Sequence, residues 1–189
     1  SERASFMSEY SIYAKQGYVG ASDERIKKNI IEINDDVALK TLRDISCCWY
    51  NYIDETKGTN NILGFIAQQV KLYFPEAVKI REDFIPNEMR ELEDFSWEEE
   101  IIDSNNKTFK LTTDLIDCSG IKYRFYVAED ITDNDQEEMI DVIGNSDNTF
   151  TFEKKWNYIF CYGREVQGFH TLNKQKLFAL NCWRWTYEA

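Results

Sequence analysis

The sequence predicts an α+β chain: a helical core with an N-terminal strand segment, an inserted antiparallel β subdomain and a C-terminal helix. Three observations lead there. Residues 34–45 and 62–74 carry apolar side chains at helical spacing. Between about residues 80 and 168 that periodicity gives way to short strand-like runs divided by Asn, Asp and Gly turns. The closing stretch, LNKQKLFALNCWRWTYE over 172–188, reads as a helix again.

In chain order, residues 5–21 alternate, with Ile12, Ala14 and Gln16 on one side and Tyr13 and Lys15 on the other. Gly17 and Gly20 punctuate this extended run. Asp35 is a good N-cap and Asp36 suits the positive end of a helix, while Ala38, Leu42 and Ile45, widened by Leu39, form its apolar stripe. SCCWYNYI (46–53) is aromatic and reads as a strand, followed by the polar turn DETKGTNN. Ile62, Phe65, Ile66, Val70 and Tyr73 predict a second helix, which Pro75 ends. FKLTTDLI, KYRFYVA, MIDVI, TFTFE and WNYIFCY predict strands of a small barrel or sandwich, with turns such as DCSG and GNSDN between them.

The 189 residues suffice for one well-cored domain with a sizeable insert. The net charge of −12 is concentrated. Residues 1–81 hold 11 acidic and 11 basic side chains, 82–141 hold 19 and 5, and 142–189 hold 4 and 6. An acidic middle repels phosphate backbones and anionic bilayers, so neither nucleic acid nor membrane is an expected partner. No run approaches the ~20 apolar residues of a membrane span, and no signal-peptide pattern opens the sequence. Cys47, Cys48, Cys118, Cys161 and Cys182 form no CxxC pairs, which argues against a disulfide framework and a zinc site. A reducing compartment fits them. The single histidine, His170, excludes metal sites built on several histidines and reads as structural. No metal or cofactor is expected.

The informative blocks are Ser22-Asp23-Glu24-Arg25-Ile26-Lys27-Lys28-Asn29-Ile30, then Ala38-Leu39-Lys40-Thr41-Leu42. Gly64-Phe65-Ile66-Ala67-Gln68-Gln69-Val70 and Pro75-Glu76-Ala77-Val78 follow. In this order they resemble the peptidase S74 family, the C-terminal intramolecular chaperones of phage endosialidases, tail fibres and neck appendages. That family has relatives in large DNA viruses, the kind of source the resemblance implies, and in myelin regulatory factor. The match is specific over residues 20–78, shortens at Phe169-His170-Thr171-Leu172, Leu177 and Leu180, and says little about the insert. It implies a homotrimer that sets the register of an upstream viral fibre and then cuts itself free beside Ser22. The chain then divides into the end of the stalk (1–22), an S74 core (23–81), an acidic β-rich insert (82–168) and a C-terminal helix of the core (169–189). The implied setting is the virion, or the host cytoplasm or virus factory during assembly. A processed transcription-factor precursor, as in the myelin regulatory factor branch, gains no support from an acidic insert without a DNA-binding segment.

The residues allow that chemistry. A serine hydroxyl needs a base, and Lys27 stands five residues after Ser22. Lysine serves as base only as the neutral amine, which burial and like-charged neighbours such as Arg25 and Lys28 favour. Ser22 and Lys27 are therefore the candidate catalytic residues of a serine endopeptidase acting once on itself. Ala21, Ser22 and Asp23 form the cleavage junction, and Asp23, Arg25, Gln68 and Gln69 are candidate supporting residues. The family places the cut at Ser22–Asp23. Attack of Ser22 on the Ala21 carbonyl closes a five-membered ring, whereas attack on its own carbonyl needs a four-membered one, so both junctions stand. Gln69 occupies a position where many members carry Glu, which removes any mechanism needing that carboxylate. Two plainer readings accompany these: Ser22-Asp23 as a cap before Glu24, and Lys27 as a surface lysine. The alternative function is a non-cleaving trimeric fibre tip that binds a glycan or receptor through the insert, with Trp97, Trp156 and Tyr158 as stacking candidates.

Overall fold

The computed structural model describes residues 22–101, 107–130 and 137–180. The chain divides into two compact units, Ser1–Asn34 and Asp35–Ala189. The extended segment expected over 5–21, Ala21 of the cleavage junction and Cys182 lie outside the described residues. Among the described residues of the first unit, the 3-10 turn Glu24–Ile26 is followed by chain without regular structure.

The second unit begins with helix α1 (Asp35–Asp44), a two-stranded hairpin of β1 (Cys48–Tyr50) and β2 (Ile62–Gly64), and helix α2 (Ala67–Tyr73). After the 3-10 turn Pro75–Ala77 come β3 (Val78–Phe84), β4 (Arg90–Glu91), β5 (Ser96–Ile101) and β6 (Lys107–Thr112). Then follow β7 (Lys122–Ala128), β8 (Glu138–Ile143), β9 (Thr149–Phe152), the fifteen-residue β10 (Tyr158–Leu172) and helix α3 (Lys174–Leu180).

This corrects the expected helical core. The fold is mostly β, and its three described helices have ten, seven and seven residues. The helix expected over 62–74 is half strand. Ile62, Leu63 and Gly64 pair with Tyr50, Trp49 and Cys48, and the helix starts only at Ala67. The stripe of Ile62, Phe65, Ile66 and Val70 satisfies helical spacing, but the two β-branched isoleucines tolerate extended backbone and cross-strand pairing with an aromatic strand wins. The C-terminal helix is also shorter than expected where it is described. It begins at Lys174 because residues up to Leu172 belong to β10.

β10 organises the sheets. Its first half pairs antiparallel with β7, which pairs with β8, and its second half pairs with β3. A second sheet runs β5-β6-β9. The two sheets close on a core in which Phe125, Phe150, Leu111, Val127 and Ile159 are sealed from solvent. Phe125 and Phe150 meet edge to face at 5.0 Å. Burying each such side chain contributes roughly 1.5–3 kcal/mol. A smaller core gathers Ile45, Val70, Ala77 and Leu177, with Phe74, Val78 and Leu172 packed against it.

The expected insert leaves and returns on neighbouring strands. Asp83 is the cross-strand partner of Val166, and Phe84 of Glu165. Everything in the larger core lies between Leu92 and Cys161, and everything in the smaller core lies outside residues 85–164.

Candidate functional site

Asp23 begins the local geometry. Its backbone is extended, and its side chain accepts a hydrogen bond from the Arg25 N–H at 2.8 Å, capping the turn Glu24–Ile26. The Arg25 guanidinium returns to the same carboxylate through Nε at 2.9 Å and Nη2 at 2.8 Å. This fork holds the Asp23 carboxyl below the usual carboxylate range and raises Arg25. The turn closes when the Lys27 N–H bonds the Glu24 carbonyl at 2.9 Å. Lys27 is again extended, and its side chain folds back over the turn, where Nζ lies 2.8 Å from Ser22 Oγ.

The structure therefore brings Ser22, Asp23, Arg25 and Lys27 together within one turn. Both plain readings hold part of the truth: Asp23 does cap, and Lys27 is exposed, as is Ser22. Arg25 faces Asp23 in an ion pair, so its charge is matched there. Gln68 and Gln69 lie on α2, in the second unit. Gln69 Oε1 accepts a weak bond from Cys48 Sγ at 3.7 Å, a contact available to a neutral amide. Among the described residues no group of three or more His, Cys, Asp or Glu is placed to hold a metal. His170 Nδ1 bonds the Gly168 carbonyl at 2.8 Å.

The stacking candidates of the insert are not a platform. Trp156 is buried, and the half-buried Trp97 donates its indole N–H to the Trp156 carbonyl at 3.0 Å while packing against Phe152. Tyr158 is half-buried at the start of β10.

Sequence reasoning missed two features. One is a groove of about 1150 Å³ in the second unit, walled by Leu42, Tyr50, Phe65, Ile85, Phe169 and Phe178 among others. The other is exposed apolar surface. Of eighteen exposed large apolar side chains among the described residues, thirteen lie between Ile26 and Ile80. Trp49 and Leu63, cross-strand partners on the hairpin, are 69% and 57% exposed. A period-2 reading of 48–50 against 62–64 exposes this pair; the helical reading of 62–74 hid it.

Residues 22–79 match the peptidase S74 family, described as chaperone of endosialidase. The S74 match begins at Ser22 and ends on β3. The chain is also 29% identical to uncharacterized protein VP1 of Micromonas pusilla reovirus, over 84% of this chain. It spans 11% of that relative's length. The two similarities support a chaperone-like role for the S74 segment in a viral protein. Among the described residues no helix is long and apolar enough to cross a membrane.

Proposed function

We propose that the chain is a self-cleaving trimerisation chaperone. Three copies associate through the apolar surface of the S74 segment, hold an upstream fibre in register, and are released when Ser22, activated by Lys27, cuts the chain. The observation that carries this reading is the 2.8 Å contact between Lys27 Nζ and Ser22 Oγ inside the S74 match. As a free amine, Lys27 takes the Ser22 hydroxyl proton while Oγ attacks the Ala21 carbonyl carbon. The Ala21–Ser22 amide becomes an ester, the proton passes to the departing nitrogen, and water hydrolyses the ester. A cut at Ser22–Asp23 needs a different nucleophile on the Ser22 carbonyl, because attack by its own Oγ closes a four-membered ring. In the single chain both side chains of the pair are exposed to water. Assembly that buries Lys27 favours the amine and ties cutting to a completed trimer.

The exposed apolar side chains between Ile26 and Ile80 support association, because a surface with so many uncovered large residues marks an interaction site. The fibre-tip alternative loses Trp156 to the core of the insert, with Trp97 packed against that core, and is not favoured.

Intact-mass analysis of freshly expressed chain, beside a Ser22→Ala control, tests the proposal. A fragment beginning at Ser22 or Asp23, absent from the control, is expected, and its mass identifies the junction. A wild-type chain that stays whole as an assembled trimer refutes self-cleavage.

A further inference from the structure

We infer that residues 85–164 act as a folding clasp: a module whose own core brings β3 and β10 together, so that the S74 segment can close its small core. This inference concerns folding and stands independently of the cleavage reading.

The smaller core needs two distant pieces of chain. Ile45, Val70 and Ala77 come before the excursion, and Leu172 and Leu177 come after it. The ladder joining them pairs Val78 with Leu172 and continues to Phe84 with Glu165. Closing a flexible loop of about 80 residues opposes such pairing entropically. Among the described residues only four buried side chains anchor the smaller core, so it is poorly placed to overcome that loss. The larger core holds twelve buried residues, all drawn from within the loop.

Contacts at the neck transmit the module's fold to the ladder. The Ile85 N–H bonds the Arg164 carbonyl at 2.9 Å, and Asn87 Oδ1 accepts from the Arg164 N–H at 2.9 Å. Arg124, gripped by both oxygens of Asp141 at 2.8 and 2.9 Å, places its guanidinium 4.0 Å from the centre of the buried Phe84 ring. Lys122 reaches Glu165 at 3.0 Å. Two strands of the module thus hold the cross-strand pair from which the S74 ladder extends.

Hydrogen exchange of the backbone amides in Val78–Phe84 and Glu165–Leu172 tests the clasp in the full chain and two replacements. Phe150→Asp puts a charge into the module's core and unfolds it. In that variant the ladder amides should exchange about tenfold faster or more. Replacing residues 85–164 with Asn-Gly, a two-residue hairpin turn, should restore wild-type protection, because Phe84 and Glu165 then flank a tight turn. Replacing them with a Gly/Ser linker of equal length should leave the ladder unprotected. A ladder that stays protected in Phe150→Asp, or with the Gly/Ser linker, overturns the clasp. So does an unprotected ladder in the Asn-Gly chain, which would show that the module does more than close the loop.

Discussion

Ser22 and Lys27 meet because Asp23 and Arg25 shape the turn between them. Ser22→Ala should therefore abolish cleavage without changing the circular dichroism spectrum. Lys27→Arg should slow it by a factor of about 10² to 10⁴, since arginine keeps its proton; cutting at the wild-type rate in a gel time course would remove lysine from the mechanism. A second residue-scale prediction concerns Asp147. The Thr149 hydroxyl at 2.6 Å and Lys110 Nζ at 3.1 Å hold its carboxyl at about 2, against an ordinary 3.8. A depressed folded value means stability present above the unfolded value and lost as pH falls through the folded one. The melting-temperature advantage of wild type over Asp147→Asn should stay level down to about pH 5, shrink as pH falls towards about 2 and vanish near about pH 1; an advantage undiminished at about pH 2 contradicts the assignment. Cysteine labelling gives a third. Burial pushes Cys161 up to about 12 and also raises Cys118, so both should resist iodoacetamide in the native chain, whereas exposed Cys47 reacts. The serine–lysine pair was legible in the sequence because it is local. The burial of Trp156 was not, because it depends on which strands pair across 59 residues with Trp97.

At the scale of elements, the strand runs with turn residues between them lie where β6 to β9 are found, since KYRFYVA and TFTFE pair alternation with aromatic and β-branched residues. β5 escaped notice because SWEEEI carries three glutamates. The ladder to β6 tolerates them through diagonal ion pairs, Glu99 with Lys107 and Glu100 with Lys110. β3 escaped for a related reason: VKIREDF exposes four consecutive side chains and is specified by its ladder to β10. The full length of β10 was hidden by two register shifts, after Cys161 and after Val166, each of which breaks the two-residue period. Gly163 sits at the first of them with φ of 148°, and a Cβ there would stand 2.1 Å from the Ile85 carbonyl oxygen. Gly163→Ala should cost on the order of 2–4 kcal/mol in urea unfolding. A loss below about 0.5 kcal/mol would mean that the neck yields easily.

At the scale of the molecule, apolar surface and charge are distributed oppositely. Residues 85–164 carry nineteen acidic against eight basic side chains, while Trp49 and six of the nine exposed isoleucines among the described residues lie between residues 26 and 80. The acidic excess was readable from composition; the uncovered apolar surface required knowing what the fold leaves bare. The uncleaved Ser22→Ala chain should scatter light as a trimer at micromolar concentration, and a monomer would contradict the proposed assembly. Trp49→Ser should weaken association by about 2 kcal/mol per copy while leaving the monomer's melting unchanged, if the hairpin tryptophan anchors a contact. The adjacency of Phe84 and Glu165 has an evolutionary side. Any domain whose own ends lie one strand spacing apart, about 4.8 Å, can be spliced there without lengthening or tearing the host ladder. Lineages sharing the segment from Ser22 to Lys79 are thereby free to exchange what hangs from this port, and sequence divergence should rise abruptly between positions 84 and 165.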